Sequence, residues 1–321
     1  MQVTRSSPFR PLCRVLPVRL AGLSIALMKA TALELAILAG HLLLYPSGIL
    51  PERRHPEAFT HPELQLPDAP DSPDSPDAQN DQPDGAPDPL HGMRELADAP
   101  RLPARARPPV LLLHGFIDNR SVFVLLRRSL AQHGRHQVES LNYSPLTCDI
   151  RTAATLLARH VEELCERTGQ ERIDVVGHSL GGLIARYYVQ RLGGDERIRT
   201  LVTLGTPHAG TRVAPLADAH PIVRQMRPGS SVIEELRRPA PGCRTRFVSF
   251  WSDLDQLMVP LETACVDHGD LQAQNVRVTG IGHLALPVHP AVATGIRQAL
   301  DADPTREGGT AADSVGGLTV A

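Results

Sequence analysis

The sequence predicts an α/β domain built on a mostly parallel sheet of about six strands, with helices on both faces. Three observations predict it. Between 109 and 302, short apolar runs alternate with segments of helical periodicity. Several helical segments carry their own start and stop signals. Composition also sets the region apart: proline and acidic residues concentrate before position 110, and a Gly/Ala-rich tail follows 303.

Leu20 to Leu44 is a mostly apolar run of about 25 residues, long enough to span a bilayer. Arg5, Arg10, Arg14 and Arg19 precede it, and Pro46 and Gly48 close it. That asymmetry favours a cytoplasmic N-terminus and an exported remainder. The run carries Lys29, Glu34 and His41, and a charge near the centre of a spanning helix costs roughly 2.5–3.5 kcal/mol. Glu34 and His41 share one helical face, placed to pair with another helix. Residues 1–50 therefore read as a signal anchor or a signal peptide; no A-x-A cleavage site stands out, which favours the anchor. A start at Met28 would favour the signal peptide; a third reading, a buried helix of the folded domain, is disfavoured by the linker that follows.

Residues 51–108 read as a linker. Asp68, Asp71, Asp74 and Asp77 recur at every third position, each after a proline, which is the period of polyproline II. Such a segment cannot bury enough apolar surface to fold and is expected to be a disordered, stiff, acidic spacer. His55, His61 and His91 within it read as solvated side chains rather than metal ligands.

Within 109–302, Val110 to Leu113 is a short strand, and Arg120 to His133 a helix closed by Gly134. Val138 to Tyr143 is a second strand. Asp149 can N-cap a helix running to Thr168, with Gly169 after its end. Ile173 to Val176 is a strand and Leu180 to Leu192 a helix. Ile198 to Leu204, Thr245 to Phe250 and Asn275 to Val278 are further strands. Pro290 to Leu300 is a last helix with proline in its first turn. Residues 303–321 form a tail expected to be disordered.

A formal net charge of −2 gives no case for nucleic-acid binding. The cysteines, Cys13, Cys148, Cys165, Cys243 and Cys265, form no C-x-x-C pair, so neither a zinc site nor any other metal or cofactor is implied. Cys243 and Cys265 bracket a strand and the loop after it; in an exported protein a disulfide between them is expected to hold that loop.

The chemistry centres on Gly177-His178-Ser179-Leu180-Gly181. A strand runs directly into it and a helix directly out of it. A turn that tight forces its middle residue to positive φ, and Gly177 and Gly181 remove side chains that would clash there. Ser179 is thereby held above the sheet edge as a nucleophile, at a helix N-terminus that favours developing negative charge. A tetrahedral oxyanion needs two donors. One is the backbone N–H of Leu180; the other is assigned to Phe116 in His114-Gly115-Phe116, directly after the first strand. A serine needs a base and an orienting carboxylate, which in this architecture follow in the order acid, then histidine. His283 follows the last strand. Asp253 and Asp255 follow the strand before it, and both remain candidates for the acid. His178 sits inside the turn and points elsewhere, His268 precedes its strand, and His289 reads as a capping residue of the last helix.

Taken together, His114-Gly-Phe116, the Gly177–Gly181 turn, Leu204-Gly-Thr-Pro-His-Ala-Gly-Thr211 and Gly280-Ile-Gly-His283 resemble the bacterial triacylglycerol-lipase type of α/β hydrolase. The resemblance covers about 109–302. It implies the α/β-hydrolase fold, a Ser–His–Asp triad and water as final acceptor. The short spacing from acid to histidine is similar to that of the small secreted lipases of bacilli. In that family the acid usually lies in a D-x-x-V turn; Asp255-Gln-Leu-Met-Val259 is one residue longer and Asp253 does not fit at all, which favours Asp255. His208 has two readings, a substrate contact or a structural turn residue. Residues 211–239 are long for a connection, with helical patterns around Val213 to Met226 and Ser231 to Arg238, and read as a mobile lid or a packed insertion.

The function these readings imply is hydrolysis of carboxylic esters, lipid or acyl esters among them, by a domain tethered to the membrane through its N-terminal segment or secreted. An acyltransferase or thioesterase would use the same triad. A catalytically inactive cell-surface binding module is the reading from another class.

Overall fold

The computed structural model describes residues 28–29, 31–40, 42–43, 107–144, 148–213 and 220–302. The chain divides into two units, 1–50 with 107–321, and 51–106. The spacer at 51–108, except its last two residues, and the tail at 303–321 lie outside the described residues, as does part of the apolar run Leu20–Leu44. Helical residues are described at 31–40 (α1). Among the described residues no helix is long and apolar enough to cross a membrane.

Six parallel strands form one sheet in the order β2-β1-β3-β4-β5-β6: β1 Val110–Leu113, β2 Val138–Leu141, β3 Ile173–His178, β4 Ile198–Leu204, β5 Arg246–Ser252 and β6 Gln272–Val278. The helices between them are α2 Val124–Gln132, α3 Ile150–Thr168, α4 Leu180–Arg191, α5 Pro221–Gln225, α6 Ser231–Arg237 and α7 Pro290–Asp301. Parallel strands need crossovers, and crossover helices cover both faces. One core lies between the sheet and α3, α4, α5 and α6, with Leu111, Val175 and Leu201 at its centre. The other lies under α2 and α7, around Leu112, Val176 and Val202. Central β1 and β3 are buried throughout, whereas edge strand β2 alternates Val138 and Ser140 inward with Glu139 outward.

Local signals explain the helices. The Asp149 side chain accepts from Thr152 N at 2.7 Å, and Gly169 ends α3 in the left-handed region at φ 66°. Ile150, Ala153, Leu157, Val161 and Leu164 form its buried stripe at helical spacing. Each fully buried Leu or Ile contributes roughly 1.5–3 kcal/mol relative to exposure. His289 caps α7, its Nδ1 accepting from Ala291 N at 3.3 Å. The expected helix over Arg120 to His133 instead begins as a 3-10 turn, Arg120–Phe123, because the Asn119 side chain accepts from Ser121 N.

The described parts of 211–239 are packed. The helix expected from Val213 shrinks to α5, set by Pro221 in its first turn and by His220 as cap; 214–219 lie outside the described residues. Ile222, Val223, Val232, Ile233 and Leu236 join the core. Glu235 of α6 pairs with Arg151 at 2.6 Å and accepts from Tyr187 Oη at 2.6 Å.

Asp174 on β3 is buried completely between two arginines. Arg135 reaches it at 3.2 Å, and Arg199 bonds it twice, at 2.9 and 2.7 Å. Arg135 also holds Asp301 and the Leu300 carbonyl, so the cluster ties β3, β4 and the end of α7 together. Burial pushes the Asp174 carboxyl up despite both guanidinium groups.

Candidate active site

Five loops meet at the carboxyl edge of the sheet, each from a different strand. β1 and β3 are neighbours there although β2 lies between them in sequence, and such a switch point opens a crevice. Ser179 stands at its floor, between β3 and α4, with φ 52° and ψ −117°. It is the only non-glycine at positive φ among the described residues. Such strain costs on the order of 1–3 kcal/mol and persists only where the surroundings over-determine it. They do so here: Ser179 N donates to Leu204 O at 2.8 Å, and Thr206 Oγ1 donates to Ser179 O at 2.9 Å. A Cβ on Gly177 would meet the Gly182 backbone at 2.5 Å, and one on Gly181 would press into the Leu113 and His114 carbonyls.

Leu180 opens α4, where the first N–H groups have no carbonyl partner within the helix. Phe116 lines the cavity above Ser179, its ring edge-on to His220 at 5.8 Å. Its loop is braced by His114, which stacks on Tyr143 with ring centroids 4.3 Å apart. Tyr143 donates to the His114 carbonyl, and burial pushes the His114 imidazole pKa down.

His283 and Asp255 meet behind the cavity. Asp255 Oδ2 lies 2.7 Å from His283 Nδ1, with both side chains buried. The other Asp255 oxygen accepts from Leu257 N at 2.9 Å and Met258 N at 3.2 Å, so the turn aims the carboxylate. Asp253 is elsewhere: it pairs with Arg277 at 3.0 Å and accepts from Gly280 N. Burial pushes the His283 imidazole down, but Asp255, Asp118 and Glu34 outweigh it, and the net direction is upward. We therefore expect His283 to titrate above the ordinary 6.5 in an NMR titration, and Asp255→Asn to move that midpoint down. A wild-type midpoint at or below 6.5 would contradict this account.

Gly205 explains the Leu204-Gly-Thr-Pro-His segment. At φ 53°, a Cβ there would sit 2.9 Å from His283 Nδ1 and 3.0 Å from Asp255 Oδ2. His208 is buried and does not line the cavity; its Nε2 meets Thr203 Oγ1 at 3.0 Å. Burial and the neighbouring Arg186 push its pKa well down. Of its two readings, the structural one fits. Arg186, lowered to about 10 by burial, donates to the His208 and Leu236 carbonyls, joining α4 to this turn and to α6.

Sequence reasoning missed Asp118. His178, expected to point elsewhere, lines the cavity with it: its Nδ1 meets Asp118 Oδ2 at 3.1 Å, and its Nε2 lies 3.3 Å from the His283 carbonyl. This bridge links the loop of Phe116, the serine turn and the loop of His283. No periodic pattern signals it, since its partners lie 60 and 105 residues from His178 in sequence.

The expected disulfide is a correction. Cys243 and Cys265 are free thiols with different surroundings. Cys243 packs on the core near Asp195 and Arg172, whereas Cys265 faces Glu262 and Asp267. The loop of Asp255 is held by hydrogen bonds instead: Thr211 Oγ1 donates to Leu257 O at 2.6 Å and accepts from Val259 N at 3.2 Å. Among the described residues no cluster of side chains could hold a metal ion.

The cavity encloses about 340 Å³. Apart from Ser179, His283, His178 and Asp118 its walls are largely apolar, with Phe116, Ile117, Val223, Met226, Met258 and Leu284 among them.

A family model described as alpha/beta hydrolase fold matches residues 108–228. The chain is 29% identical over 119 residues to a triacylglycerol lipase of Pseudarthrobacter phenanthrenivorans, covering 35% of this chain and 36% of that one. It thus spans about a third of that relative's length. Among solved structures, Aspergillus fumigatus lipase B superposes with TM-score 0.55 at 16% identity, over 62% of this chain and 55% of that one. The mature form of Bacillus licheniformis lipase BlEst2 superposes with TM-score 0.51 at 15% identity, over 63% and 96%.

Proposed function

We propose that this chain, which has the α/β-hydrolase fold, is a serine hydrolase that cleaves carboxylic esters. The observation that carries the proposal is the buried His283–Asp255 pair, 2.7 Å apart, behind the apolar cavity that Ser179 and His283 both line. In the proposed mechanism the Ser179 hydroxyl attacks the ester carbonyl carbon while His283 Nε2 takes its proton. The Leu180 and Phe116 N–H groups receive the charge that develops on the carbonyl oxygen. Collapse breaks the C–O bond, and His283 returns the proton to the leaving alcohol. Water, deprotonated by His283, then releases the carboxylic acid and restores Ser179. Asp255 holds the imidazole in the tautomer that leaves Nε2 free to accept, and stabilises the imidazolium.

An apolar pocket favours an acyl chain, and the likeness to triacylglycerol lipases supports esters of lipid type. The test is kcat/KM of the full chain on p-nitrophenyl esters of increasing acyl length. Each added methylene that enters the cavity is worth about 0.8 kcal/mol, so kcat/KM should rise roughly fourfold per methylene until the cavity fills. Absence of turnover at every length sinks the proposal, and a flat series removes the assignment of the cavity to the acyl chain.

A further inference from the structure

The helix α1 lies far from the domain in sequence yet touches the loop of His283. Thr31, Glu34 and Ile37, three residues apart and so aligned, form the contacting face. Thr31 Oγ1 accepts from Gln256 Nε2 at 3.3 Å, and Ile37 packs on the core under α2 and α7. Glu34 Oε2 accepts from Leu284 N at 2.9 Å, and its Oε1 from Ala285 N at 3.0 Å. These are the two amides directly after His283. Directly before it, Gly282 leaves room for the carboxylate: a Cβ there would lie 2.5 Å from Glu34 Cδ and 2.6 Å from Oε1. Of its larger apolar residues, Leu33 and Leu35 remain exposed, and Ile37 and Leu38 are only partly buried. The contact centres on one glutamate whose two oxygens both make charge-assisted hydrogen bonds.

Building on the hydrolase reading above, we propose that Glu34 is a positioning residue for His283, clamping the backbone directly after it and adding a negative charge beside the imidazole. The charged and titratable groups facing His283 come from four elements: Asp255 after β5, Asp118 after β1, His178 before α4, and Glu34 on α1. The two loop carboxylates act through a direct bond or through charge. Of the three carboxylates, Glu34 alone also bonds the main chain next to the ring. A consequence is that cleavage of the N-terminal segment beyond residue 34 would remove part of the active site.

The experiment uses the full chain. Glu34→Gln keeps the size but turns an NH₂ towards one of the two amides; Glu34→Ala removes both acceptors. Both should lower kcat about tenfold with KM within about twofold, as loss of positioning does. The acid limb of the pH profile should move to lower pH, because the imidazole loses a negative neighbour. Hydrogen exchange at Leu284 and Ala285 should speed up. Thr31→Ala, which loosens the same helix at Gln256, should leave the acid limb in place. If wild type turns over esters and Glu34→Gln matches it in kcat and acid limb, the inference is overturned and the hydrolase reading stands. If wild type shows no turnover, the hydrolase reading fails, and exchange at 284 and 285 alone decides whether the clamp exists; equal exchange in wild type and Glu34→Gln overturns it. Should Glu34→Ala fail to fold, Glu34→Gln carries the test.

Discussion

Ser179→Ala is expected to lower ester turnover by on the order of 10⁴-fold or more while the fold stays intact, since the acyl-enzyme needs that oxygen. The elbow itself should survive: its conformation is held by Ser179 N on Leu204 and by Thr206 on the Ser179 carbonyl, and neither uses the hydroxyl. His283→Ala should cost nearly as much, and the double variant little more, because the residues act as one unit. Asp255→Asn should cost less than either. Asp253→Asn, which loses only a partly exposed pair with Arg277, should stay near wild type. The measurement is kcat/KM on a p-nitrophenyl ester, with circular dichroism and a thermal midpoint on each variant. Full activity in folded Ser179→Ala would end the serine mechanism. A crippled Asp253→Asn beside an active Asp255→Asn would reassign the acid and spare the serine.

The largest effect on stability is expected from Asp174→Ala. Its carboxylate sits at 0% exposure between Arg135 and Arg199, and deleting it removes the anion they share, leaving Arg135 to Asp301 and the Leu300 carbonyl and Arg199 to that carbonyl. Breaking one side of a buried ion pair typically costs about 3–5 kcal/mol. In a domain of this size that is a fall of roughly 10 °C in Tm. The cost comes from the stranded arginines, so removing all three charges together should recover much of it. Glu234→Gln is the contrast: its pair with Arg237 is exposed on both sides and should change stability by less than about 0.5 kcal/mol. A thermal midpoint for Asp174→Ala within a degree or two of wild type would show that the cluster is not a structural tie.

The legible features were those written locally. Val110–Leu113 and Ile198–Leu204 could be bounded from their apolar runs, α3 from Asp149 and Gly169, and α7 from Pro290. Edge strand β6 begins at Gln272, three residues before the expected Asn275, because Gln272-Ala-Gln is exposed and its pairing is dictated by β5 rather than by any apolar signal. At the site, the residues assigned from motifs line one cavity or meet behind it. Those that brace them were not legible. Asp118, Arg186 and Glu34 act on partners remote in sequence, and a lone polar residue leaves no periodicity. The Cys243–Cys265 expectation failed for the same reason in reverse: bracketing a loop in sequence does not bring two side chains into one environment.

The clamp also imposes an order of events on the growing chain. Asp255 and His283 are 28 residues apart, whereas Glu34 and Leu284 are 250 apart. Closing the longer loop costs about 2 kcal/mol more chain entropy. During synthesis the glutamate emerges 250 residues before the first of its two amides. For most of that time the helix has nothing to hold. The proposed site therefore becomes complete only after residue 285 has been made, and a chain interrupted before residue 284 carries Ser179 without the histidine loop in place.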